Sequence, residues 1–497
     1  MARVSRSFPT GVVEGFYGKP WTHSDRLRML KFLGENGFNT YVFAPKEDPH
    51  LRVRWRRKYP RGYLARLHEL IQAANRFSVD FVFTLSPGLD LVYSSKSERR
   101  LLLDNLRAVT DLGCHWVGIL LDDVNTELTN ADDRTRFTSL GEAHVSLLSE
   151  ALDDLNIGGK TRLVFCPTYY ANEYLGKSVS ENEYLEEIGE GLDPQIDVFW
   201  TGRHVVSTTI TERDVIAFEE AVKRKPLLWD NYPVNDYYRS GFSGFCRPRL
   251  NMGPFCGRAP GILKHLAGYV SNPMNESEAS KVPLLTLSNY LDDPAKYSPD
   301  KAFRRAIKSL FPRETNRDEI ELLVECSRAN PLDPNEVEDL AKPVKGVIES
   351  TDESALAGSS AVMAAKLRSY LVLRKRLSGS ERNQRFISDF KPVLAKVEKL
   401  ATLGLSCLEL AEKTKKGSRL DEIRGLKEKV REEMALVRED KVQALGEVAF
   451  ELETNGDVTG KADVNRLWGM GLPQIQKESP VVELYYWSQK ISGQASI

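Results

Sequence analysis

The sequence is poor in the residues that build metal sites and disulfide frameworks. Among its 497 residues it has 7 histidines and 6 cysteines, and the cysteines are scattered without a C-x-x-C pair. No H-x-H or H-E-x-x-H pattern occurs either. These absences argue against a zinc or iron site and against a disulfide-stapled fold. We therefore expect no metal and no other cofactor.

Long apolar runs and an excess of one charge are also missing. No segment reaches the roughly 20 uninterrupted apolar residues of a membrane-spanning helix. The first 16 residues lack the apolar core of a signal peptide. The 69 basic and 70 acidic side chains leave a formal net charge of −1, which argues against bulk binding to nucleic acid or to an anionic membrane. We expect a cytoplasmic protein that binds neither.

Residues 1–295 contain short β-branched and aromatic runs, separated by segments with helical periodicity. The runs begin at Val12, Thr40, Asp80, His115, Arg162, Asp197, Pro226 and Ala267. Such runs, apolar on both faces, indicate a parallel sheet covered by helices. Their number and spacing predict an α/β fold, a (β/α)8 TIM barrel. An open doubly wound sheet is the alternative, although no G-x-G-x-x-G pattern follows the first run.

Polar and aromatic side chains stand at the ends of most of these runs. They are Glu14, Tyr17, Lys46, Asp122, Asp123, Tyr170, Trp200, Asn231, Asp236 and Asn272. In a parallel barrel the carboxyl ends of all strands lie on one face, where active sites are built. We therefore expect these side chains to converge in space. The plainer explanation is that strand ends are polar because loops are polar.

Residues 296–497 carry long charged segments with helical periodicity in place of strand signals. From Leu420 to Glu453, apolar residues recur every three or four positions, which predicts one amphipathic helix. Two earlier segments, beginning at Ala361 and Phe386, are similar. We expect a second domain, an antiparallel all-α bundle. The apolar stripe of the last helix comprises Leu420, Ile423, Leu426, Val430, Met434, Val437, Leu445, Val448 and Leu452.

The last part of the chain is unusually aromatic. A Gly-rich, polar stretch at residues 455–461 predicts a hinge or loop, and Trp468, Tyr485, Tyr486 and Trp487 follow it. Large aromatic side chains need a surface to pack on, which here is the barrel, the bundle or another subunit. Together with the charged helices, the hinge and this aromatic tail predict a homodimer, in which C-terminal helices could be exchanged.

The stretch GILLDDVNTEL, Gly118–Leu128, carries an apolar run directly into two carboxylates, Asp122 and Asp123. One interpretation is that a carboxylate caps a following turn or helix. A second is a Mg²⁺ or Ca²⁺ site, although Glu127 and Asp132 supply no D-x-D-x-D spacing. A third is that the two carboxyls titrate apart and act as acid and base, as glycoside cleavage requires.

Aromatic and amide residues at other run ends favour the third interpretation. Sugars offer apolar ring faces, on which Trp and Tyr stack, and hydroxyl edges, which Asn, Asp and Lys bind. WDNYPVND, from Trp229 to Asp236, supplies both kinds of side chain, and APKEDP brings Lys46. The residues at this face of the barrel therefore favour carbohydrate chemistry.

Seven motifs occur in this order: GVVEGFYGKPW, NTYVFAPKEDPHLRVRW, GILLDDV, VFCPTYY, VFWTG, LLWDNYPVNDY and SNPMNE. Together they closely resemble the family 84 glycoside hydrolases, the O-GlcNAcase-like β-N-acetylglucosaminidases. The resemblance extends from Gly11 to about Pro294, and the helical part is similar to the family's stalk-like domain in architecture more than in motifs. It implies a retaining exo-enzyme that hydrolyses terminal β-GlcNAc, including O-GlcNAc on Ser or Thr of proteins.

The resemblance also implies substrate-assisted catalysis. The acetamido carbonyl oxygen of the substrate would attack its own anomeric carbon and form an oxazoline, a fast step because the reacting atoms are already oriented. By position in the motif, Asp122 would orient and polarise the acetamido N–H. Asp123 would protonate the leaving oxygen and then act as base on water, roles suited to a desolvated carboxyl with a raised pKa.

The same matching assigns further residues to sugar binding. Those that would hold the hydroxyls and the acetamide are Gly15, through its backbone, Lys46, Asn231, Asp236 and Asn272, with Tyr170 and Trp229 shaping the acetamide pocket and Tyr17 and Val205 lining its rim. Two neighbours depart from the family pattern, since Glu47 stands where Asp is expected and Tyr169 where Glu is expected. No role is assigned to Asn125 or Glu127.

Two other functions stay open at this point. A non-catalytic glycan- or protein-binding module could use the helical part and the aromatic tail, with a vestigial barrel, although the intact aspartate pair argues against it. A metal-dependent hydrolase on the same barrel is the weaker third hypothesis. Activity that chelators leave unchanged would exclude it.

Overall fold

Eight parallel strands close into a barrel in the computed structural model of the chain. The structure describes residues 8–155, 161–175, 178–236, 249–312, 316–328, 338–350, 352–378, 383–440, 442, 448–449, 476–477 and 480–494. The strands are β1 (Thr10–Glu14), β2 (Thr40–Phe43), β3 (Asp80–Leu85), β4 (Trp116–Leu120), β5 (Arg162–Cys166), β6 (Asp197–Trp200), β7 (Leu227–Asp230) and β8 (Gly268–Ser271). Each pairs with the next, and β8 pairs with β1.

All eight predicted runs form these strands, so the barrel prediction is confirmed and the open-sheet alternative is wrong. Successive strand residues point to opposite faces, and both faces are buried here. Side chains from all eight strands meet in one cluster inside the barrel: Val13, Val42, Val82, Trp116, Leu120, Val164, Phe199, Leu227, Trp229 and Val270. Their neighbours pack against the surrounding helices.

Helices alternate with the strands and cover the barrel. They are α1 (His23–Glu35), α2 (Arg61–Arg76), α3 (Lys96–Thr110), α4 (Ala131–Arg136), α5 (Leu140–Leu155), α6 (Glu183–Gly191), α7 (Glu212–Val222) and α8 (Lys281–Asp292). Capping boxes fix two of the starts, Thr22 with Asp25 before α1 and Thr211 with Asp214 before α7. Short 3₁₀ helices lie at Asn172–Tyr174, Val179–Glu181 and Pro260–His265.

The rest of the described chain is almost entirely helical. It forms α9 (Pro299–Leu310), α10 (Arg317–Glu325), α11 (Glu338–Ile348), α12 (Glu353–Leu377), α13 (Gln384–Asp389), α14 (Lys391–Lys415), α15 (Leu420–Glu439) and α16 (Pro480–Gln494). Helix α14 packs against α12, α15 and α16, so it lies at the centre of a bundle. The predicted helical part is confirmed. The domain limits 1–295 and 296–497 stay a prediction, because α8 and α9, on either side, pack together.

The last amphipathic helix is shorter than its sequence pattern predicts. Helix α15 ends at Glu439, and Asp440 has extended backbone, with φ −81° and ψ 109°. The buried Lys396 ammonium donates to the carbonyls of Val437 and Asp440, at 2.7 and 3.0 Å, which satisfies this helix end. The prediction that Val448 continues the stripe is therefore wrong.

Val448 belongs instead to a two-residue strand, β9 (Val448–Ala449), which pairs with β10 (Gln476–Lys477). Other members of the predicted stripe are distributed differently. Leu420 is 65% exposed, whereas Val430 and Met434 are buried. Leu445, Leu452, the hinge at 455–461 and Trp468 lie outside the described residues.

The aromatic tail packs on the bundle, the second of the three surfaces considered for it. Helix α16 contacts α11, α14 and α15. Tyr485 and Trp487 are partly buried against the core, while Tyr486 is 47% exposed and accepts a hydrogen bond from Arg438, 2.7 Å away. Of the helices that the structure describes, none is both long and apolar enough to cross a membrane.

A buried ion pair fixes the end of β7. The Arg258 guanidinium donates to both carboxylate oxygens of Asp230, at 2.6 and 2.9 Å, and Tyr269 donates to the same carboxylate. The two charged side chains are 0% and 1% exposed. Because Asp230 is the last residue of β7, this pair ties the strand end to β8 and to the loop that precedes β8.

Replacement of Arg258 by methionine should destabilise the barrel by about 3–5 kcal/mol, because the Asp230 charge would be buried without its partner. Lys223→Met is the matched control, since Lys223 and Glu190 form an exposed pair worth about 1 kcal/mol or less. Denaturant unfolding, followed by tryptophan fluorescence, measures the difference. Equal losses in the two variants would contradict the expectation.

Candidate active site

The predicted site residues meet at the carboxyl ends of the barrel strands. Asp122 and Asp123 follow β4 after one intervening residue, and Lys46 follows β2. Tyr170 follows β5, and Asn231 and Asn272 come directly after β7 and β8. This is the face on which parallel barrels carry their active sites.

Asp122 lies in a buried ion pair. Its side chain is 7% exposed, and the Lys46 ammonium, whose side chain is 2% exposed, donates to Oδ2. The other oxygen, Oδ1, is buried and has no hydrogen-bond partner among the described residues. Leaving a charged acceptor buried and unpaired costs free energy, so such an atom in a native site calls for an explanation.

Asp123 has a different environment from that of its neighbour. Its backbone is left-handed, with φ 53°, which is uncommon for a residue other than glycine. Its side chain is open to the cleft, where Oδ2 accepts a hydrogen bond from the Tyr17 hydroxyl and Oδ1 one from the Tyr170 hydroxyl, both at 2.6 Å. The two adjacent carboxylates therefore face different partners.

The pKa of Asp123 lies below its usual range. Burial among protein atoms opposes this shift, but the Lys46 charge, the hydroxyls of Tyr17 and Tyr170 and the Arg52 charge outweigh it. The exposure of the side chain to the cleft weakens the burial effect further. The raised pKa that we expected for Asp123 is therefore wrong for the site as it stands, because two hydroxyls and two cations stabilise the anion.

Tyr17 connects two carboxylates of the site. Its hydroxyl donates to Asp123, and its backbone N–H donates to Oδ2 of Asp236, 2.6 Å away. Burial raises the pKa of Asp236 to about 6, and the charge of Asp123 adds to the increase. Burial also raises the pKa of Tyr17, so its hydroxyl stays protonated and can donate.

Amide side chains join the ends of β7, β8 and β1. Oδ1 of Asn231 accepts hydrogen bonds from Nε1 of Trp229, at 3.1 Å, and from Nδ2 of Asn272, at 2.9 Å. Nδ2 of Asn231 donates to the Val205 carbonyl at 2.6 Å, and the Gly15 N–H donates to Oδ1 of Asn272 at 3.3 Å. A Cβ at Gly15 would lie 2.1 Å from the Trp229 ring, so only glycine fits there.

Sequence reasoning missed three residues of this region. Arg52 donates to the Tyr17 hydroxyl and to the Asp123 carbonyl, at 2.9 and 3.2 Å. The carboxylate of Glu173 accepts from the Val205 N–H at 2.8 Å and contacts His204, and the Tyr174 hydroxyl lies 3.0 Å from that of Tyr170. Arg52 stands within one quoted motif, and Glu173 and Tyr174 lie three and four positions after another, VFCPTYY, which is the only signal that the sequence offers for them.

Two of the ten run-end residues expected to converge point away from the site. Glu14 is 0% exposed and accepts two hydrogen bonds from Arg26 on α1, on the outer face of β1. Trp200 stacks on Phe218 of α7 and donates to Asn172. The expectation was wrong for both because strand residues alternate between the faces and their immediate neighbours point inward.

Other residues noted in the sequence stand beside the site. Asn125 and Glu127 line a cavity of about 190 Å³ with the loop after β3. Glu47 lines a second cavity, of about 430 Å³, between the loops after β1 and β2. Tyr169 packs edge-on against Tyr184, with ring centroids 4.9 Å apart. Within the described ranges, no three or more His, Cys, Asp or Glu side chains are arranged to hold a metal ion.

The chain matches a protein-family model described as NAGidase, β-N-acetylglucosaminidase, over residues 10–325. It is 36% identical over 286 residues to the proteins named Protein O-GlcNAcase from Rattus norvegicus and Mus musculus. The match covers 58% of this chain and 30% of each relative, so the chain spans less than a third of those proteins.

Solved structures resemble the chain over more of its length. An aspartate-to-asparagine variant of the Thermobaculum terrenum O-GlcNAc hydrolase has a TM-score of 0.81 at 30% identity, covering 98% of this chain and 96% of that one. A chain named CpGH84B has a TM-score of 0.75 at 25% identity, covering 88% of this chain and 75% of that one.

The Asp236 carboxyl should titrate with a midpoint of about 6. Carbon-13 spectra of protein with labelled aspartate carboxyls can measure this midpoint. The Asp236 signal is the one that disappears in Asp236→Asn. Asp123→Asn should lower the midpoint because it removes a neighbouring negative charge. Asp132→Asn, at an exposed position of α4, is the control and should leave the Asp236 midpoint unchanged. If Asp123→Asn gives the same midpoint as the wild type, the charge of Asp123 does not act on Asp236.

The same shift has a consequence for stability. A folded-state pKa above the value of about 3.9 for free aspartate means that the folded chain binds the proton more tightly. The stability that this group contributes is then largest at low pH and falls as the pH rises from about 4 to about 6. Asp236→Asn should abolish this part of the pH dependence.

Proposed function

Since the family model matches more than half of it, the chain belongs to the β-N-acetylglucosaminidases of glycoside hydrolase family 84, and we propose that it is a retaining exo-β-N-acetylglucosaminidase. Its substrates in this proposal carry terminal β-GlcNAc, including O-GlcNAc on Ser or Thr of proteins. The names of the rat and mouse relatives support the protein-linked substrate. The near-zero net charge supports the absence of nucleic acid and membrane partners.

The unpaired Oδ1 of Asp122 is the observation that carries the proposal. It is a buried acceptor beside a catalytic-face cation, Lys46, and it lacks one donor. The N–H of a 2-acetamido group supplies such a donor. In this interaction Asp122 orients the acetamide and stabilises the positive charge that develops on it as its carbonyl oxygen attacks the anomeric carbon.

In the first half of the reaction a bond forms between the acetamide oxygen and the anomeric carbon, and the bond to the aglycone oxygen breaks. Asp123 gives its proton to that oxygen. The acetamide N–H stays hydrogen-bonded to Asp122, so the ring formed is an oxazolinium ion. In the second half Asp123 takes a proton from water, which attacks the anomeric carbon and opens that ring. Two inversions at one carbon retain its configuration, and no protein nucleophile is needed.

The remaining predicted residues have contacts that suit sugar binding. The Asn231–Asn272 pair and the Gly15 N–H form a fixed polar wall, and Asp236 offers a carboxylate to hydroxyl groups. Tyr170 and Trp229 are 6% and 4% exposed and would enclose the acetamide methyl. Tyr17 and Val205 are partly exposed and would line the rim.

Asp123→Asn should lower kcat/KM for a substrate with a poor leaving group by about 10²- to 10⁴-fold. The loss should be smaller for nitrophenyl β-GlcNAc, since a good leaving group needs little protonation. Asp122→Asn should slow both substrates, because both depend on the acetamide nucleophile. Steady-state kinetics of the two variants measure these effects, with Asp132→Asn as the control.

Three outcomes would contradict this scheme. Near wild-type kcat on the poor leaving group in either variant would remove the assigned residue from the mechanism. GlcNAc binding without turnover of any β-GlcNAc substrate would favour the non-catalytic binding module. Loss of activity with chelators would favour a metal-dependent hydrolase.

The proposal includes a homodimer, with exchange of C-terminal helices. Large apolar side chains are exposed on the bundle helices, among them Val362 at 63%, Leu420 at 65% and Leu436 at 52%. Val362 lies on α12, and Leu420 and Leu436 lie on α15, so burial of these side chains against a second copy of the chain would be favourable. A cytoplasmic location is also part of the proposal, and the buried thiols of Cys114, Cys166, Cys326 and Cys407, which form no disulfide, support a reducing compartment.

Light scattering at micromolar concentration should give the mass of a dimer, about twice 56.1 kDa. Leu436→Lys should shift the protein towards monomer if the bundle helices form the interface. Val53→Lys changes an apolar residue that is 66% exposed on a barrel loop, and it should leave the mass unchanged. A wild-type monomer would refute the proposed assembly.

A further inference from the structure

Arg52 touches Asp123 by two separate routes. It lies on the loop between β2 and α2 and is partly buried. Nη2 donates to the Asp123 backbone carbonyl at 3.2 Å, and Nη1 donates to the Tyr17 hydroxyl at 2.9 Å. The Tyr17 hydroxyl in turn donates to Oδ2 of Asp123. One guanidinium therefore contacts the backbone of Asp123 directly and its carboxylate through one phenol.

The backbone of Asp123 needs such support. Its left-handed φ of 53° is sparsely populated by residues with a Cβ, and surrounding contacts must hold it. The fork of a guanidinium suits this task, because it presents several N–H donors in one rigid plane. The Arg52 guanidinium also lies 5.6 Å from the centroid of the Tyr17 ring, which restricts both side chains.

We propose that Arg52 is a positioning residue for proton transfer, which fixes the carboxyl of Asp123 through its own carbonyl and through the Tyr17 hydroxyl. The proposal rests on the function proposed above, in which Asp123 is the acid and the base. Arg52 itself does not reach the reacting atoms. It acts through Tyr17 and through the conformation of the Asp123 backbone.

Several charged or titratable groups face Asp123. They are Tyr17 after β1, Lys46 and Arg52 after β2, Asp122 on the same loop, Tyr170 and Tyr174 after β5, and Asp236 after β7. Among the described residues, the cations that act on Asp123 are Lys46 and Arg52. Lys46 is committed to Asp122. Removal of the Arg52 charge therefore perturbs Asp123 while the Lys46–Asp122 pair stays intact.

The sign of the expected change follows from these contacts. Arg52 favours the anion of Asp123, so its replacement by a neutral residue raises the pKa of that carboxyl. The alkaline limb of the kcat profile reports loss of the proton from the acid in the substrate complex. In Arg52→Gln this limb should move to higher pH by about 0.5–1 unit. A purely structural role for Arg52 would lower activity without moving the limb.

The kinetic test compares Arg52→Gln, Arg52→Lys and Arg54→Gln. Arg54 is an exposed arginine two positions along the same loop and serves as the matched control. Arg52→Gln should lower kcat about tenfold on an alkyl β-GlcNAc substrate and less than about threefold on nitrophenyl β-GlcNAc, since only the first depends on proton donation. Arg52→Lys keeps the charge and loses the fork, so its alkaline limb should stay near that of the wild type while kcat on the alkyl substrate falls.

A second measurement does not depend on turnover. In carbon-13 spectra of protein with labelled aspartate carboxyls, the signal lost in Asp123→Asn should titrate at higher pH in Arg52→Gln than in the wild type or in Arg54→Gln. An unchanged titration midpoint of Asp123 in Arg52→Gln would overturn the proposal. So would equal losses of kcat on the two substrates together with an alkaline limb that stays at the wild-type pH. If wild-type protein turns over no β-GlcNAc substrate, the proposed function fails, and the titration still decides whether Arg52 controls the Asp123 carboxyl.

Discussion

The ion pair between Lys46 and Asp122 is the interaction on which the site depends. Two adjacent carboxylates at a strand end repel each other, and a poorly solvated environment increases that repulsion. Lys46 follows β2, which β3 separates from β4 in the barrel, and it neutralises Asp122 inside the barrel mouth. Asp123 can then remain open to the cleft, held by the Tyr17 and Tyr170 hydroxyls. Two residues with the same side chain thus acquire different electrostatic environments within one turn of chain.

The barrel makes this separation possible because successive residues of each strand point alternately inward and outward. The inward residues face the interior and the mouth, while the outward residues pack against helices. Two ion pairs lie on the outer side of the strands, Glu14 with Arg26 and Asp230 with Arg258, and in each the guanidinium donates to both carboxylate oxygens. They hold the ends of β1 and β7, where Gly15 and Asn231 begin the polar wall. The structural charges therefore point outward at the ends of β1 and β7, while the candidate catalytic charges lie at the barrel mouth after β2 and β4.

Much of this architecture follows from the sequence, and the failures have specific causes. Apolar runs mark all eight strands because a parallel strand is buried on both faces. Because both faces are apolar, the sequence does not show which residues of a strand point inward. The expectation that Glu14 and Trp200 lie at the mouth is wrong for this reason, since both point outward. The end of α15 depends on Lys396, from another helix, and the contacts of Arg52 and Glu173 depend on loop paths. Neither leaves a periodic signal in the local sequence.

The low pKa of Asp123 fits the proposed reaction, in which this one carboxyl serves twice. In the second half-reaction it must be an anion that takes a proton from water, and Lys46, Arg52 and the two hydroxyls stabilise that anion. In the first half-reaction it must carry a proton. A bound sugar would exclude water from the cleft and bring an aglycone oxygen to a carboxylate that now accepts from tyrosine. Both changes penalise the anion. The pKa would then rise when the acid is needed and fall after the aglycone departs, which is the order that the two steps require.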